Sequence, residues 1–266
     1  MPEGHTIHRA ARLHKQRFGD RRIKAWSPQG RFDDGAARID GAELVDVRAA
    51  GKHLFYEFEP LETLHVHLGL FGKFRVFGGV GPPPTDGTRL AWSDGESTLY
   101  LAGATIVELI DRDDEVRIRR RLGPDPLARQ SDDLERIVSA LQRRNIPIGA
   151  ALLDQKVVAG IGNVYRAELL FLAGIDPRRP SNELVPADGA LLWEETVRQL
   201  RLGQRAGRII TVDPKDVGAK SRKSLDRGER LYTYQRDGEP CRRCETLIVS
   251  TEMGGRSIWW CPSCQQ

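Results

Sequence analysis

The chain opens Met1-Pro2-Glu3-Gly4, and these are residue types that carbonyl chemistry can use. Removal of Met1, which a proline in second place permits, would expose the secondary amine of Pro2. An α-amino group titrates near about 8, so part of it is unprotonated at neutral pH. Its attack on an aldehyde-like carbon gives a cationic iminium, an electron sink for later bond cleavage. Glu3 lies beside it and can deliver or accept the proton that such a step needs. The same residues also suit an ordinary helix start, with proline in the first turn and an acid near the amide end. The chemical reading therefore needs support from the rest of the chain.

A second set of reactive side chains lies at the other end. All four cysteines fall in the last 26 residues, as Cys241-x2-Cys244-x16-Cys261-x2-Cys264. Two such knuckles can enclose one tetrahedral Zn²⁺ with four thiolates, a closed and therefore structural site. Two disulfides are the alternative, and they suit an intracellular chain poorly. Between the knuckles, Leu247 to Thr251, then Gly254-Gly255, then Ser257 to Trp260 read as strand, turn, strand. The metal would then staple a β-hairpin whose tip presents Arg256, and it would supply much of the folding energy.

The remaining sequence has to position these two ends. Its 266 residues allow two domains with separate cores. Hydrophobic residues make up 39% and charged residues 29%, a globular composition. No stretch approaches the roughly 20 apolar residues of a membrane span, and no apolar signal core opens the chain. A cytoplasmic protein is expected, nucleoid-associated if bacterial, with no membrane partner and as a monomer. Residues 1–120 balance 18 basic against 18 acidic side chains, so the net charge of +4 arises entirely in the second half. Residues 198–230 hold ten basic side chains and four acidic ones, a strip suited to phosphate.

Residues 3–18 carry Ile7, Ala11, His14 and Phe18 at helical spacing. From 22 to 120 short alternating runs, among them His53–Phe58, Leu64–Leu68 and Leu99–Leu101, predict an antiparallel β-sandwich. His65 and His67 share a strand face and offer either a metal site or a structural role. Gly78–Pro84 reads as a surface loop. Gly123-Pro124-Asp125-Pro126 is a break, after which the pattern turns helical. Ser131 is expected to cap one helix, and Pro147 to open another through Leu153. Gly160-Ile161-Gly162-Asn163 leads into a third over 164–173, whose amide end suits phosphate. A fourth spans about 188–205. The fold class is α+β, with boundaries at 1–121, a linker 122–130, then 131–234 and 235–266.

Taken in order, these motifs resemble the formamidopyrimidine-DNA glycosylase/endonuclease VIII (Fpg/Nei) family of base-excision repair enzymes. The resemblance rests on Met1-Pro2-Glu3-Gly4, Gly51-Lys52-His53, Leu122-Gly123-Pro124-Asp125-Pro126-Leu127, Leu152-Leu153-Asp154-Gln155 through Gly160-Ile161-Gly162-Asn163-Val164-Tyr165, and Gly255-Arg256-Ser257-Ile258-Trp259-Trp260-Cys261 onward. It implies a β-sandwich followed by a helix–two-turns–helix domain (131–234) and a zinc finger (235–266). It also implies double-stranded DNA with damaged bases or abasic sites as the partner.

Residue by residue, the resemblance makes Pro2 the Schiff-base nucleophile and Glu3 its acid/base partner. Lys52, on a strand after the glycine, would contact phosphate near the lesion. Asn163 and Arg256 would grip the backbone around a flipped nucleotide, which places Arg256 in the catalytic set as well as among the DNA contacts. Leu70 and Phe71 would wedge into the vacated stack, or else lie in the core as strand residues.

Three departures bear on subtype. Arg117-Ile118-Arg119-Arg120-Arg121-Leu122 reaches the linker without the Arg-Arg-Phe-Gly loop of the Fpg branch, which favours endonuclease VIII and oxidised pyrimidines. Thr6 stands where many members carry a second acid, and Gly69 replaces a polar residue at the start of the wedge. The expected activity is a bifunctional glycosylase/abasic-site lyase that eliminates the 3′ and then the 5′ phosphate. The alternatives are a non-catalytic zinc-ribbon DNA-binding protein and a glycosylase that prefers 8-oxoguanine or formamidopyrimidine.

Overall fold

The computed structural model describes residues 2–60 and 62–266, in two compact units, Met1–Arg121 and Leu122–Gln266. Met1, whose removal would free the Pro2 amine, lies outside the described residues. No helix among them is long and apolar enough to cross a membrane.

In the first unit, helix α1 (Gly4–Phe18) buries Ile7, Ala11, His14 and Phe18, the stripe that the spacing predicts. It packs on β3 (Glu43–Ala50) and β4 (His53–Glu59). These strands belong to a five-stranded antiparallel sheet with β1 (Arg21–Arg22), β5 (Glu62–His67) and β9 (Ile106–Ile110), in the order β1-β3-β4-β5-β9. A second sheet holds β2 (Lys24–Trp26), β6 (Lys73–Gly78), β7 (Thr88–Ser93) and β8 (Ser97–Ala102), ordered β2-β7-β8-β6. The core includes Leu54, Tyr56, Phe58, Leu64, Val66, Leu90, Trp92 and Leu99. Trp92 is fully buried at its centre, edge-on to Tyr56 at 5.2 Å and to Phe18 at 6.0 Å between centroids.

Two helices interrupt the stretch that alternation assigns to strands alone. Helix α2 (Asp33–Ile39) and helix α3 (Arg112–Arg120) are coded by charge order more than by apolar period. In α3, Asp111 caps the backbone N–H of Asp114 at 2.7 Å, acids fill the first turn and arginines the last. That order complements the helix dipole. Its one buried residue, Glu115, takes hydrogen bonds from Arg48 at 3.0 Å and Arg119 at 2.9 Å. A hydropathy period cannot register such a helix. The loop after β6 is pinned to β8, with Tyr100 Oη donating to Pro82 O at 2.8 Å and Gly79 N to Glu96 O at 2.6 Å.

The second unit contains α4 (Asp133–Gln142), α5 (Ile148–Ala151), α6 (Asn163–Ala173), α7 (Pro186–Ala206) and a hairpin of β10 (Val249–Met253) and β11 (Arg256–Trp260). Ser131 is not the cap of α4. The helix begins two residues later, and the Asp133 carboxylate accepts from Gln130 N at 2.7 Å instead. Ile258 and Trp260 of the hairpin enter the same core as Leu141, Leu152, Tyr165, Leu169 and Trp193.

His14 makes the first unit acid-sensitive. Its ring lies 2.7 Å from Tyr56 Oη in the core, and burial pulls its pKa down to about 3. An unfolded histidine titrates near about 6.5, so between these values only the unfolded chain holds the proton. This contribution to stability is complete above about pH 6.5 and is lost as the pH falls toward 3. Urea midpoints of the first unit should therefore drop between about pH 6.5 and about pH 4. In His14→Gln the drop should shrink by roughly 1.4 kcal/mol for each pH unit crossed.

Candidate active site

Pro2 and Glu3 sit at the amide end of α1. Glu3 is the N-cap residue, in extended conformation, and its carbonyl accepts from Thr6 N at 2.8 Å. Its side chain is fully buried, whereas Pro2 is part-exposed. The residue that follows the candidate amine therefore keeps its carboxyl group below the surface. Next to it, His5 Nε2 lies 3.1 Å from Thr6 Oγ1, and burial lowers the His5 pKa to about 4. Thr6 thus presents a hydroxyl paired with a neutral imidazole.

Lys52 lies in a turn and not on a strand. Ala50 pairs with His53, so Gly51-Lys52 is the two-residue connection of the β3–β4 hairpin. A positive φ of 55° at Gly51 in the first loop position suits such a connection. His53 at the base of the turn pairs across the sheet with His67, the last residue of β5. A hydrogen-bonded chain runs below them, from His53 Nδ1 to His65 Nε2 at 2.8 Å and from His65 Nδ1 to Glu108 Oε1 at 2.9 Å. With a carboxylate as the last acceptor, His65 donates from Nδ1 and accepts at Nε2, so His53 donates from Nδ1. Burial first, then the neighbouring His65, His67 and Lys52, lowers the His53 pKa to about 3. His67 is also lowered, chiefly by burial. These histidines form a hydrogen-bonded cluster. The one group with metal-binding geometry among the described residues is the set of four cysteines.

His67 also anchors the following turn, its Nδ1 accepting from Gly69 N at 3.2 Å. Gly72 N closes the turn on Leu68 O at 2.9 Å. Gly69 has φ +64°, and a Cβ there would lie 1.9 Å from Thr105 Oγ1. Only glycine meets both conditions, which accounts for the departure from the polar residue. Leu70 and Phe71 project from this turn at 47% and 83% exposure, so neither is a core residue.

In the second unit, Asn163 opens α6 but is only 6% exposed. Its Nδ2 donates to Ser257 O at 3.0 Å, and its Oδ1 accepts from Arg166 Nη2 at 2.5 Å. The fully buried Arg166 also donates to Gly149 O at 3.1 Å, Met253 O at 3.0 Å and Ser257 O at 3.0 Å. It reaches the carbonyl of Arg256 itself at 3.3 Å. Met253 pairs with Arg256 across Gly254-Gly255, at φ 62° and 70°, the left-handed pair that a tight hairpin turn requires. Arg256 is therefore exposed at the tip while its backbone is clasped from below. Sequence reasoning passed over Arg166. Its signal is a charge in a helix, Val164 to Ala173, with too little polar surface to solvate it.

The cysteine Sγ atoms all lie within 4.8 Å of one another. Three of the separations are 3.9, 3.4 and 3.4 Å. A tetrahedral Zn²⁺ with bonds of about 2.3 Å needs sulfurs roughly 3.8 Å apart, so the set fits.

Known proteins share this arrangement. Residues 1–130 match the formamidopyrimidine-DNA glycosylase N-terminal domain, 122–214 its H2TH domain, and 238–266 the zinc finger found in FPG and IleRS. A Mycobacterium tuberculosis protein named Endonuclease 8 1 is 42% identical over 270 residues, with 100% of both chains covered. The chain belongs to the Fpg/Nei family of DNA glycosylase/lyases. The Mycolicibacterium smegmatis DNA-(apurinic or apyrimidinic site) lyase Nei2 is 30% identical, over 100% of this chain and 99% of that one. Wild-type Lactococcus lactis Fpg (MutM), in complex with a DNA containing N7-benzyl-Fapy-dG, superposes with a TM-score of 0.84 at 25% identity over 100% of both chains.

Within this Fpg/Nei fold the first unit brings the Lys52 turn and the Leu70–Phe71 turn to adjacent strand ends. The second brings Asn163 and Arg256 together through Arg166. Arg166→Met should leave the Asn163 amide and several carbonyls without their charged donor. A loss of about 3 kcal/mol in the denaturant stability of the second unit is expected, with faster proteolysis of the hairpin. Wild-type values of both would mean that Arg166 does not dock the hairpin.

Proposed function

We propose that this protein excises oxidised bases from duplex DNA and cleaves the abasic strand through Pro2. The observation that carries the reading is a part-exposed Pro2 followed directly in the chain by a fully buried Glu3 at the start of α1. With Met1 removed, the Pro2 nitrogen bonds to C1′ as the C1′–N glycosidic bond breaks and the base leaves, with Glu3 delivering or accepting the proton. The C1′–O4′ bond then breaks, O4′ takes a proton from the acid partner and the sugar ring opens, which leaves Pro2 and C1′ joined as the iminium that acts as electron sink. Loss of a C2′ proton breaks the C3′–O bond and releases the 3′ phosphate, and elimination of the 5′ phosphate follows.

The other site residues hold the DNA. In the first unit Lys52 binds phosphate, and Leu70 and Phe71 fill the stack left by a flipped base. In the second, α6 and Asn163 shape the backbone contact and Arg256 supplies charge. One structural Zn²⁺ on Cys241, Cys244, Cys261 and Cys264 stiffens the zinc finger (235–266) that carries Arg256. The protein works as a monomer in the cytoplasm. Similarity to a protein named Endonuclease 8 1 supports an oxidised-pyrimidine preference, as does the Arg117–Leu122 segment, which lacks the Fpg-type loop.

Borohydride reduction of verified des-Met protein on abasic-site duplex should freeze a covalent adduct, and Pro2→Gly should form far less. Absence of an adduct would leave the non-catalytic DNA-binding reading. Arg256→Ala should weaken binding and excision by about tenfold while still trapping at saturating DNA, because one charged phosphate contact contributes roughly 1.5 kcal/mol. Across a panel of lesions paired with each base, thymine glycol and dihydrouracil should outpace 8-oxoguanine opposite cytosine. Cytosine-dependent removal of 8-oxoguanine alone would reverse the lesion preference and leave the proline chemistry intact.

A further inference from the structure

The basic strip of the sequence resolves into a ridge on α7. At about 100° per residue, Arg198, Arg201 and Arg205 lie within roughly 60° of one another around the helix. All three are exposed. The buried residues Leu192, Thr196, Leu200 and Gly203 occupy the opposite side. That opposite side faces α6, whose Tyr165 Oη donates to Gln199 O at 3.2 Å. The ridge therefore points away from the helix whose first turn carries Asn163.

Two grooves flank the ridge and run into each other through Leu202 and Arg205. One, of about 300 Å³, adds Arg129 and Glu194 to the ridge arginines. The other, of about 480 Å³, adds Arg208, Arg222 and Lys223. Seven cationic side chains and a single carboxylate line the pair. Outside the grooves, Glu195 engages Arg198 at 2.6 Å. Arg222 is held in place by its bond to Ile210 O at 2.7 Å.

We propose that this face is a second, non-catalytic DNA site, which holds the phosphate backbone of another duplex segment while the Asn163–Arg256 side engages its own. The inference rests on DNA being the substrate but not on the proline chemistry. Three features favour a nucleic-acid backbone. Arginine presents a planar fork of donors matched to phosphate oxygens. Successive ridge arginines rise by about 4.5 and about 6 Å along the helix, a run of cations that a single small anion would leave mostly unused. Trp193, Val197, Leu202, Ala206 and Ile210 also line the grooves, but seven cations to one carboxylate is a charge balance that a polyanion answers and a neutral protein surface does not. Such a face would let the enzyme pass between DNA segments without dissociating.

The test uses the full chain and short undamaged duplex in low salt, with stoichiometry read by sedimentation velocity. Wild type should bind two duplexes per chain, and R201E/R205E one. Second-site affinity in the variant should fall at least about tenfold, with the slope of log K against log salt reduced by about 2 for two lost phosphate contacts. Excision from a lesion duplex of the same length should stay within about twofold of wild type. R201Q/R205Q, with unchanged melting, should show the same loss in smaller measure and guards against misfolding by charge reversal. The proposal is overturned if wild type saturates with one duplex, or if the variants keep two. It is equally overturned if excision falls tenfold, which would assign the ridge to the catalytic DNA path. Equal displacement of the second duplex by polyglutamate of matched charge would show a face for acidic protein instead.

Discussion

Helix α6 buries two charged side chains completely, Arg166 and Glu168, and the second unit depends on how they are satisfied. A buried ion without partners costs several kcal/mol, so a chain that places it there must bring partners to it. Arg166 receives them from the hairpin, through the carbonyls of Met253, Arg256 and Ser257. Glu168 receives them from the chain entering the first cysteine knuckle. Its carboxylate accepts from Tyr232 N at 2.8 Å, Thr233 N at 2.8 Å and Tyr234 N at 2.9 Å, and also from Thr211 Oγ1. Two positions apart on a helix, the side chains leave on different sides, so α6 is gripped from two directions. The consequence for function is direct. The backbone position of Arg256, at the exposed tip of the hairpin, is set by α6 through its carbonyl.

The first unit solves a related problem with neutral groups. A lysine turn and an apolar turn must stand side by side at the ends of β4 and β5. Imidazoles whose centroids lie 4.9 and 5.1 Å apart would repel if charged. Burial keeps His53 and His67 neutral, so they accept and donate hydrogen bonds without adding charge beside Lys52. The two turns are thus tied to one sheet by short polar bonds, and a metal is not needed to hold them.

What the sequence made legible were features with a short, unambiguous code. The cysteine spacing, the apolar stripe of α1 and the alternation of β4 and β5 are each written in neighbouring residues. What it concealed were features whose cause is distant. Helix α3 has one buried residue, a glutamate answered by Arg48 from another strand, so no apolar period announces it. Arg166 and Glu168 carry no local signal because most of their partners lie 43 to 91 residues away in sequence. Ser131 looked like a cap because cap chemistry was present, yet the helix begins where Asp133 can also hold the preceding turn. Lys52 reads as a strand residue because the β-type runs on either side of it do not mark a hairpin that closes in two residues.

Phe71 poses the remaining physical question, since a large aromatic that is 83% exposed has to be kept there by something. The turn that carries it is not loose. Leu68 is buried, Gly69 is locked against Thr105, and backbone bonds close both ends, with Thr105 N donating to His67 O at 3.0 Å. A side chain held rigid before binding loses little further freedom on binding, so more of its apolar burial appears as affinity. That suits insertion into a base stack, where unstacking costs a few kcal/mol before anything is gained. It also bears on selectivity. Leu70 and Phe71 carry no hydrogen-bonding groups on their side chains, and Gly69 has displaced the polar residue that would have stood beside them. A wedge of this composition fills space without reading a base edge. In the function proposed here, discrimination between lesions then falls to contacts with the flipped base itself, and the opposite strand exerts little control over which lesion is removed.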